Sequence, residues 1–127
     1  MHLNEISGEI VDAAFKVHTQ LGPGLLESVY ERVLAYELRK RGLSVETQEI
    51  VPIRYDGVDF DEGFRLDLLV NDSVIVEVKS IEEIAAIHKK QLLTYLKLRD
   101  KRLGLLINFN VELIKQGITR IANGLQE

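Results

Sequence analysis

Phe64-Arg65-Leu66-Asp67-Leu68-Leu69-Val70, Asn71-Asp72-Ser73 and Val74-Ile75-Val76-Glu77-Val78-Lys79 form the stretch whose reading decides the fold. Two apolar runs flank a polar triplet, the pattern of two strands joined by a hairpin loop. Within the second run Glu77 and Lys79 stand two apart, so both point to one face of the strand. A strand covered on both faces should be continuously apolar, and burying charge without a partner is costly. The plain structural reading is an ion pair on a solvated face. Asp67, a lone acid within the first run, sets a second reading beside it. If Val70 pairs with Val74, Asp67 falls opposite Glu77 on the same face, with Cβ atoms ~4.5–5.5 Å apart. A two-residue loop pairing Val70 with Ser73 would instead put Asp67 opposite Val76 and throw the acids to different faces. Like charges opposite one another are unfavourable in a plain sheet, and a divalent cation between them removes the objection.

Working outward, β-branched residues from Leu43 to Tyr55 predict a strand that precedes this hairpin. Pro52 marks an edge position or a bulge there, and Asp56-Gly57 signals a turn. The second strand is placed at Gly63 to Val70 and the third at Val74 to Lys79, making an antiparallel meander. Upstream, Ile6, Ile10, Ala13, Ala14 and Val17 line one stripe of a helix over residues 3 to 20, which Gly22-Pro23-Gly24 stops. A second helix begins near Leu25 and ends at Gly42, a natural C-terminal cap. Downstream, Ser80-Ile81-Glu82-Glu83 has the form of a capping box and opens a third helix to about Asp100. Leu103 to Phe109 suits a buried strand, parallel to a neighbour because a helix crosses over before it. Gly117 to Ile121 alternates weakly and reads as a short edge strand.

The chain has 127 residues, enough for one domain with one core, taken as residues 1 to 127. It contains no cysteine, which excludes a disulfide framework and thiolate chemistry. No apolar run reaches the ~18–20 residues of a membrane span, and the N-terminus does not read as an export signal. A cytoplasmic location is the default expectation, with no membrane partner. A net charge of −4 argues against wrapping duplex nucleic acid over a wide basic surface. Local clusters at Arg39-Lys40-Arg41, at Lys89-Lys90 and from Lys97 to Arg102 could still meet phosphates. The alternative for each is a solvated helix end.

Asp67 followed by Glu77-Val78-Lys79 on a hairpin resembles the active-site signature of the PD-(D/E)XK nuclease superfamily. Its core order of helix, three strands, helix and strand matches residues 25 to 109. Gly24-Leu25-Leu26-Glu27-Ser28-Val29-Tyr30 also resembles the G-x-x-E-x-x-Y string of a family of small proteins within that superfamily. Leu66 stands where the superfamily's name has proline, a permissive position. The resemblance implies an α/β fold, a restriction-endonuclease-like core with an extra N-terminal helix. It implies metal-dependent hydrolysis of phosphodiester bonds in nucleic acid, taken as DNA. Asp67 and Glu77, with the main-chain carbonyl of Val78 and with Glu27 from the first core helix, would hold Mg²⁺ or Mn²⁺. Lys79 would position water or stabilise charge on phosphorus.

Gln91 and Tyr95, four apart on one helix face, resemble the Q-x-x-x-Y element of the RecB-like branch and would orient Lys79 or a phosphate. In the plain reading, Tyr95 is a core residue of an amphipathic helix. His18 resembles an accessory histidine of some branches, although a histidine at a helix end is also a common structural residue. Tyr30 is expected to pack its helix against the sheet. A rival expectation is a non-catalytic nucleic-acid-binding or regulatory module that keeps the nuclease fold. Such a module could act with a partner protein or as a homo-oligomer.

Overall fold

The computed structural model describes residues 1–124. Two helices, α1 (Leu3–Leu21) and α2 (Glu27–Lys40), precede strands β1 (Val45–Tyr55), β2 (Val58–Val70) and β3 (Val74–Lys79). Helix α3 (Ala86–Leu98), strand β4 (Leu103–Asn108), a 3₁₀ turn (Ile114–Gly117) and strand β5 (Ile118–Ala122) follow. The five strands form one sheet in the order β1-β2-β3-β4-β5. β1, β2 and β3 are antiparallel, β4 runs parallel to β3, and β5 closes the far edge antiparallel to β4. The fold is thus the α/β arrangement expected, including the edge strand near the C-terminus.

Side-chain alternation sends the sheet into two cores. Val74, Val76 and Val78 join the apolar stripe of α1 and the inner residues of α2, whereas Ile75 packs with Leu92 and Leu96 of α3. Each fully buried leucine or isoleucine contributes about 1.5–3 kcal/mol, so both helical layers are held by the faces that the periodicity marked out. β4 is buried along its whole length because it lies between β3 and β5 with helices on both sides. Arg41, at the end of α2, bonds Glu37 (2.8 Å), Asp12 (2.7 Å) and Glu9 (3.4 Å), tying the two N-terminal helices together.

Two boundaries differ from expectation. β2 begins at Val58 rather than Gly63, because Asp56 (φ +53°) and Gly57 (φ +75°) form a tight reversal that starts the return strand at once. The pairing shifts between Val51 and Ile53, absorbing the polar Asp61-Glu62-Gly63 into the strand, next to Pro52. α3 begins at Ala86, not at Ser80. The backbone N–H and carbonyl of Ile81 bond the Asn108 side chain at 3.1 and 2.9 Å, holding this segment out of the helix. The N–H of Ala85 then bonds His88 Nδ1 at 2.9 Å, closing the true start.

Candidate active site

The hairpin register is Val70↔Val74, Leu69↔Ile75 and Leu68↔Val76, which carried one step further sets Asp67 against Glu77. The ladder stops there, and side chains take over. Asp67 Oδ2 accepts the N–H of Val78 at 2.8 Å, and Glu77 Oε1 accepts the N–H of Asp67 at 3.3 Å. Beyond this point β2 leaves β3 and continues with β1 as a two-stranded ribbon.

The divergence coincides with a change of face. On β1, Val45 lies in the core under α1 and α2 while Val51 lies in the core under α3; on β2, Leu68 and Leu66 divide the same way. Residues an even number apart on a regular strand share a face, so the alternation must slip between them. It slips at Gln48 and Asp67, the two positions missing from an otherwise continuous pairing between Val45 and Val51. Gln48 has φ +53°, in the left-handed region. Its Nε2 donates to Glu31 Oε1 at 2.6 Å and to Asp67 Oδ1 at 3.4 Å. Glu27, Ser28, Glu31, Gln48 and Asp67 line one open cleft against α2.

Glu77 is 7 % exposed. Burial, reinforced by the adjacent Asp67 carboxylate, pushes its carboxyl up to about 9, with Lys79 opposing. Glu31 is pushed up to about 7, again by burial first and Asp67 second. The hydroxyl of Tyr95 is raised by burial, then by Glu77 and Asp67, which places it in the field of both acids. Its ring meets Phe64 edge-on at 4.7 Å.

The remaining expected residues distribute unevenly. Lys79 is half-buried at the end of β3 and makes no ion pair among the described residues. Glu27 is exposed, and its carboxylate receives the N–H of Ser80 at 3.3 Å, holding the turn that leaves β3. Gln91 is exposed one turn before Tyr95 and makes no side-chain hydrogen bond among the described residues. His18 is buried; its Nε2 lies 2.8 Å from the carbonyl of Val111, and its ring is tilted against Phe109. These are packing contacts at the end of α1, and none of them joins His18 to the acids. Tyr30 is fully buried and stacks on Phe109 at 4.5 Å, as expected. Its hydroxyl also donates to the carbonyl of Gly22 and accepts the N–H of Leu25, locking the turn between α1 and α2.

Sequence reasoning missed Glu31 and Gln48. Glu31 was within reach of inference, since it lies one helical turn beyond Glu27 and shares its face. Gln48 gave no signal, because a left-handed residue inside a strand leaves no mark in polarity.

Among the described residues no three acidic or histidine side chains converge tightly enough to form a metal cluster on their own. The donor set at the strand junction is instead two carboxylates and the carbonyl of the strand residue between Glu77 and Lys79. That set fits Mg²⁺ or Mn²⁺, which take one or two carboxylates and complete their octahedra with water and phosphate oxygens. No helix among the described residues is long and apolar enough to cross a membrane.

Searches of curated proteins and of solved structures returned no match. A family model described as the PD-(D/E)XK nuclease superfamily matches residues 4–121. The match spans both N-terminal helices, the acid-bearing hairpin and all five strands, and the chain belongs to the PD-(D/E)XK nuclease superfamily.

Proposed function

We propose that the protein is a metal-dependent nuclease that hydrolyses phosphodiester bonds in DNA, with Asp67, Glu77 and Lys79 as its working residues. The observation that carries this reading is the meeting of Asp67 and Glu77 where β2 parts from β3, with Lys79 next on the face of Glu77. Asp67, Glu77 and the carbonyl of Val78 would hold Mg²⁺ or Mn²⁺, and Glu27, already engaged with Ser80, would join through water. When bound, the ion supplies Lewis-acid polarisation of the phosphate and a more acidic water.

Lys79 holds a compact positive charge where negative charge grows on the phosphate oxygens. Tyr95, fixed by Phe64, presents a hydroxyl to the same space, and Gln91 stands ready to hydrogen-bond a phosphate from the exposed side of α3. Lys89 and Lys90 lie beside Gln91 and make no ion pair among the described residues, so they offer cations to the nucleic-acid backbone. Arg41 is by contrast consumed internally, and Arg99 is paired with Glu49.

The test is cleavage of single-stranded and duplex DNA by purified protein. Cleavage should require Mg²⁺ or Mn²⁺, stop with EDTA and vanish in Asp67→Asn. Metal binding by the parent without cleavage of either substrate would favour a non-catalytic nucleic-acid-binding module.

A further inference from the structure

The cleft against α2 holds a feature that the two acids and Lys79 do not explain. Gln48 adopts φ +53° in the middle of β1, where any side chain with a Cβ is disfavoured. Glycine is the ordinary residue for such a position, yet this chain places there a long amide. The unusual backbone goes with a specific reach: Nε2 is shared between Glu31 Oε1 at 2.6 Å and Asp67 Oδ1 at 3.4 Å. Asp67 has two oxygens with different duties. Oδ2 is committed to Val78, while Oδ1 faces Gln48. An amide is suited to this place because it donates two protons without carrying a charge that would compete with a cation.

We propose that Gln48 is a positioning residue, whose amide bridges Glu31 and Asp67 and fixes the orientation of the Asp67 carboxylate toward a divalent cation. The inference rests on the nuclease reading given above and extends it to the α2 side of the site. Without the bridge, Glu31 and Asp67 face each other with no shared donor, and the Asp67 carboxylate is free to pivot about the hydrogen bond that Oδ2 accepts from Val78. Partners one shell out from a metal commonly set its affinity in this way, and losing one weakens binding about 10–100-fold.

Two substitutions separate the amide from the backbone. Gln48→Gly removes the amide and relaxes the left-handed residue; Gln48→Met keeps the length and the Cβ but cannot donate. Mn²⁺ binding to the full chain is measured by calorimetry at pH 7.5, beside melting curves in EDTA. Both variants should bind Mn²⁺ at least about tenfold more weakly than the parent. In EDTA, Gln48→Gly should melt within about 4 °C of the parent, because relief at a positive φ offsets glycine's extra chain entropy. Parent-like Mn²⁺ affinity in either variant overturns the inference, and parent-like affinity in Gln48→Gly alone would reduce Gln48 to a backbone role. If the parent binds Mn²⁺ and cuts DNA while the variants match it, only the role of Gln48 falls. If the parent binds no Mn²⁺, the nuclease reading falls with it.

Discussion

Asp67 Oδ2 accepts the backbone N–H of Val78 at 2.8 Å, so the first acid is tied to the residue that separates Glu77 from Lys79. One carboxylate therefore satisfies a buried donor and supplies negative charge. The two roles come apart by mutation. Asp67→Asn keeps an acceptor for Val78 and loses the charge, whereas Asp67→Ala strands the N–H. In EDTA at pH 8, the alanine variant should be about 1–3 kcal/mol less stable than the asparagine variant by urea unfolding. Neither should gain stability from Mg²⁺. Equal stability of the two variants would show that the hydrogen bond contributes nothing.

The raised carboxyls give the metal-free protein a pH dependence of definite sign. Glu77 is pushed up to about 9 and Glu31 to about 7 by burial and by Asp67, so folding favours their protonated forms. Their stabilising contribution is complete below the ordinary glutamate value of about 4.3 and is lost as pH rises through 7 and on to 9. Melting temperature in EDTA should fall across that window, and Glu77→Gln should flatten the part of the slope above pH 7. Saturating Mg²⁺ should restore stability most strongly at pH 8, where the ionised pair can bind it, and least near pH 5. A melting temperature independent of pH from 5 to 9 in EDTA would contradict the crowding of these acids.

Lys79 should separate chemistry from binding. Lys79→Ala should lower the rate of DNA cleavage at least about 100-fold, the scale for loss of one group that stabilises transition-state charge. Mn²⁺ affinity, measured by calorimetry, should stay the same or increase, because an opposing positive charge is gone. Cleavage equal to the parent would point to a contaminating nuclease.

Glu27 and Glu31 lie one helical turn apart but have different neighbours: Ser80 for Glu27, and Gln48 with Asp67 for Glu31. Glu27→Gln retains an acceptor for Ser80 and should weaken Mn²⁺ binding only about threefold, below the 10–100-fold range of residues that orient a ligand directly. A loss as large as that of Asp67→Asn would put Glu27 in direct contact with the ion.

Tyr30 tests the turn between the first two helices. Tyr30→Phe keeps the stack on Phe109 and removes both bonds of the hydroxyl, leaving the Leu25 N–H and the Gly22 carbonyl without it. A loss of about 1–2 kcal/mol in urea unfolding is expected, with the metal-dependent stabilisation unchanged.

Much of the hairpin was legible because two constraints agreed: a three-residue polar loop from Asn71 to Ser73 and apolar residues on both sides. They left two registers, and the structure has the one that sets Val70 against Val74. The crossover from β3 to β4 was legible from the helix between them. Other features depended on tertiary partners that local pattern does not carry. Ser80 and Glu83 have the spacing of a capping box, but Asn108, far along the chain, claims Ile81 and delays the helix. Asp61-Glu62-Gly63 resembles a loop and lies in a strand because the ribbon there is solvated on both faces. Among the candidate site residues, the spacing of Asp67, Glu77 and Lys79 was visible, since charge inside an apolar strand is conspicuous. The slip at Gln48 was not, because it changes which face a side chain occupies without changing composition.

The ribbon formed where β1 and β2 run past β3 has a practical use. From Asp67 back to Val58 the strand extends roughly 25–30 Å at ordinary strand rise, and its tip is the Asp56-Gly57 reversal. That tip is solvated, turns on two residues and belongs to neither packed core. It is a suitable place to insert a fluorophore-accepting peptide or an affinity handle, since loop tips of this kind tolerate insertion. A label there would report tumbling and encounter with long nucleic acid from a position distant from the acids, leaving both termini of the chain untouched.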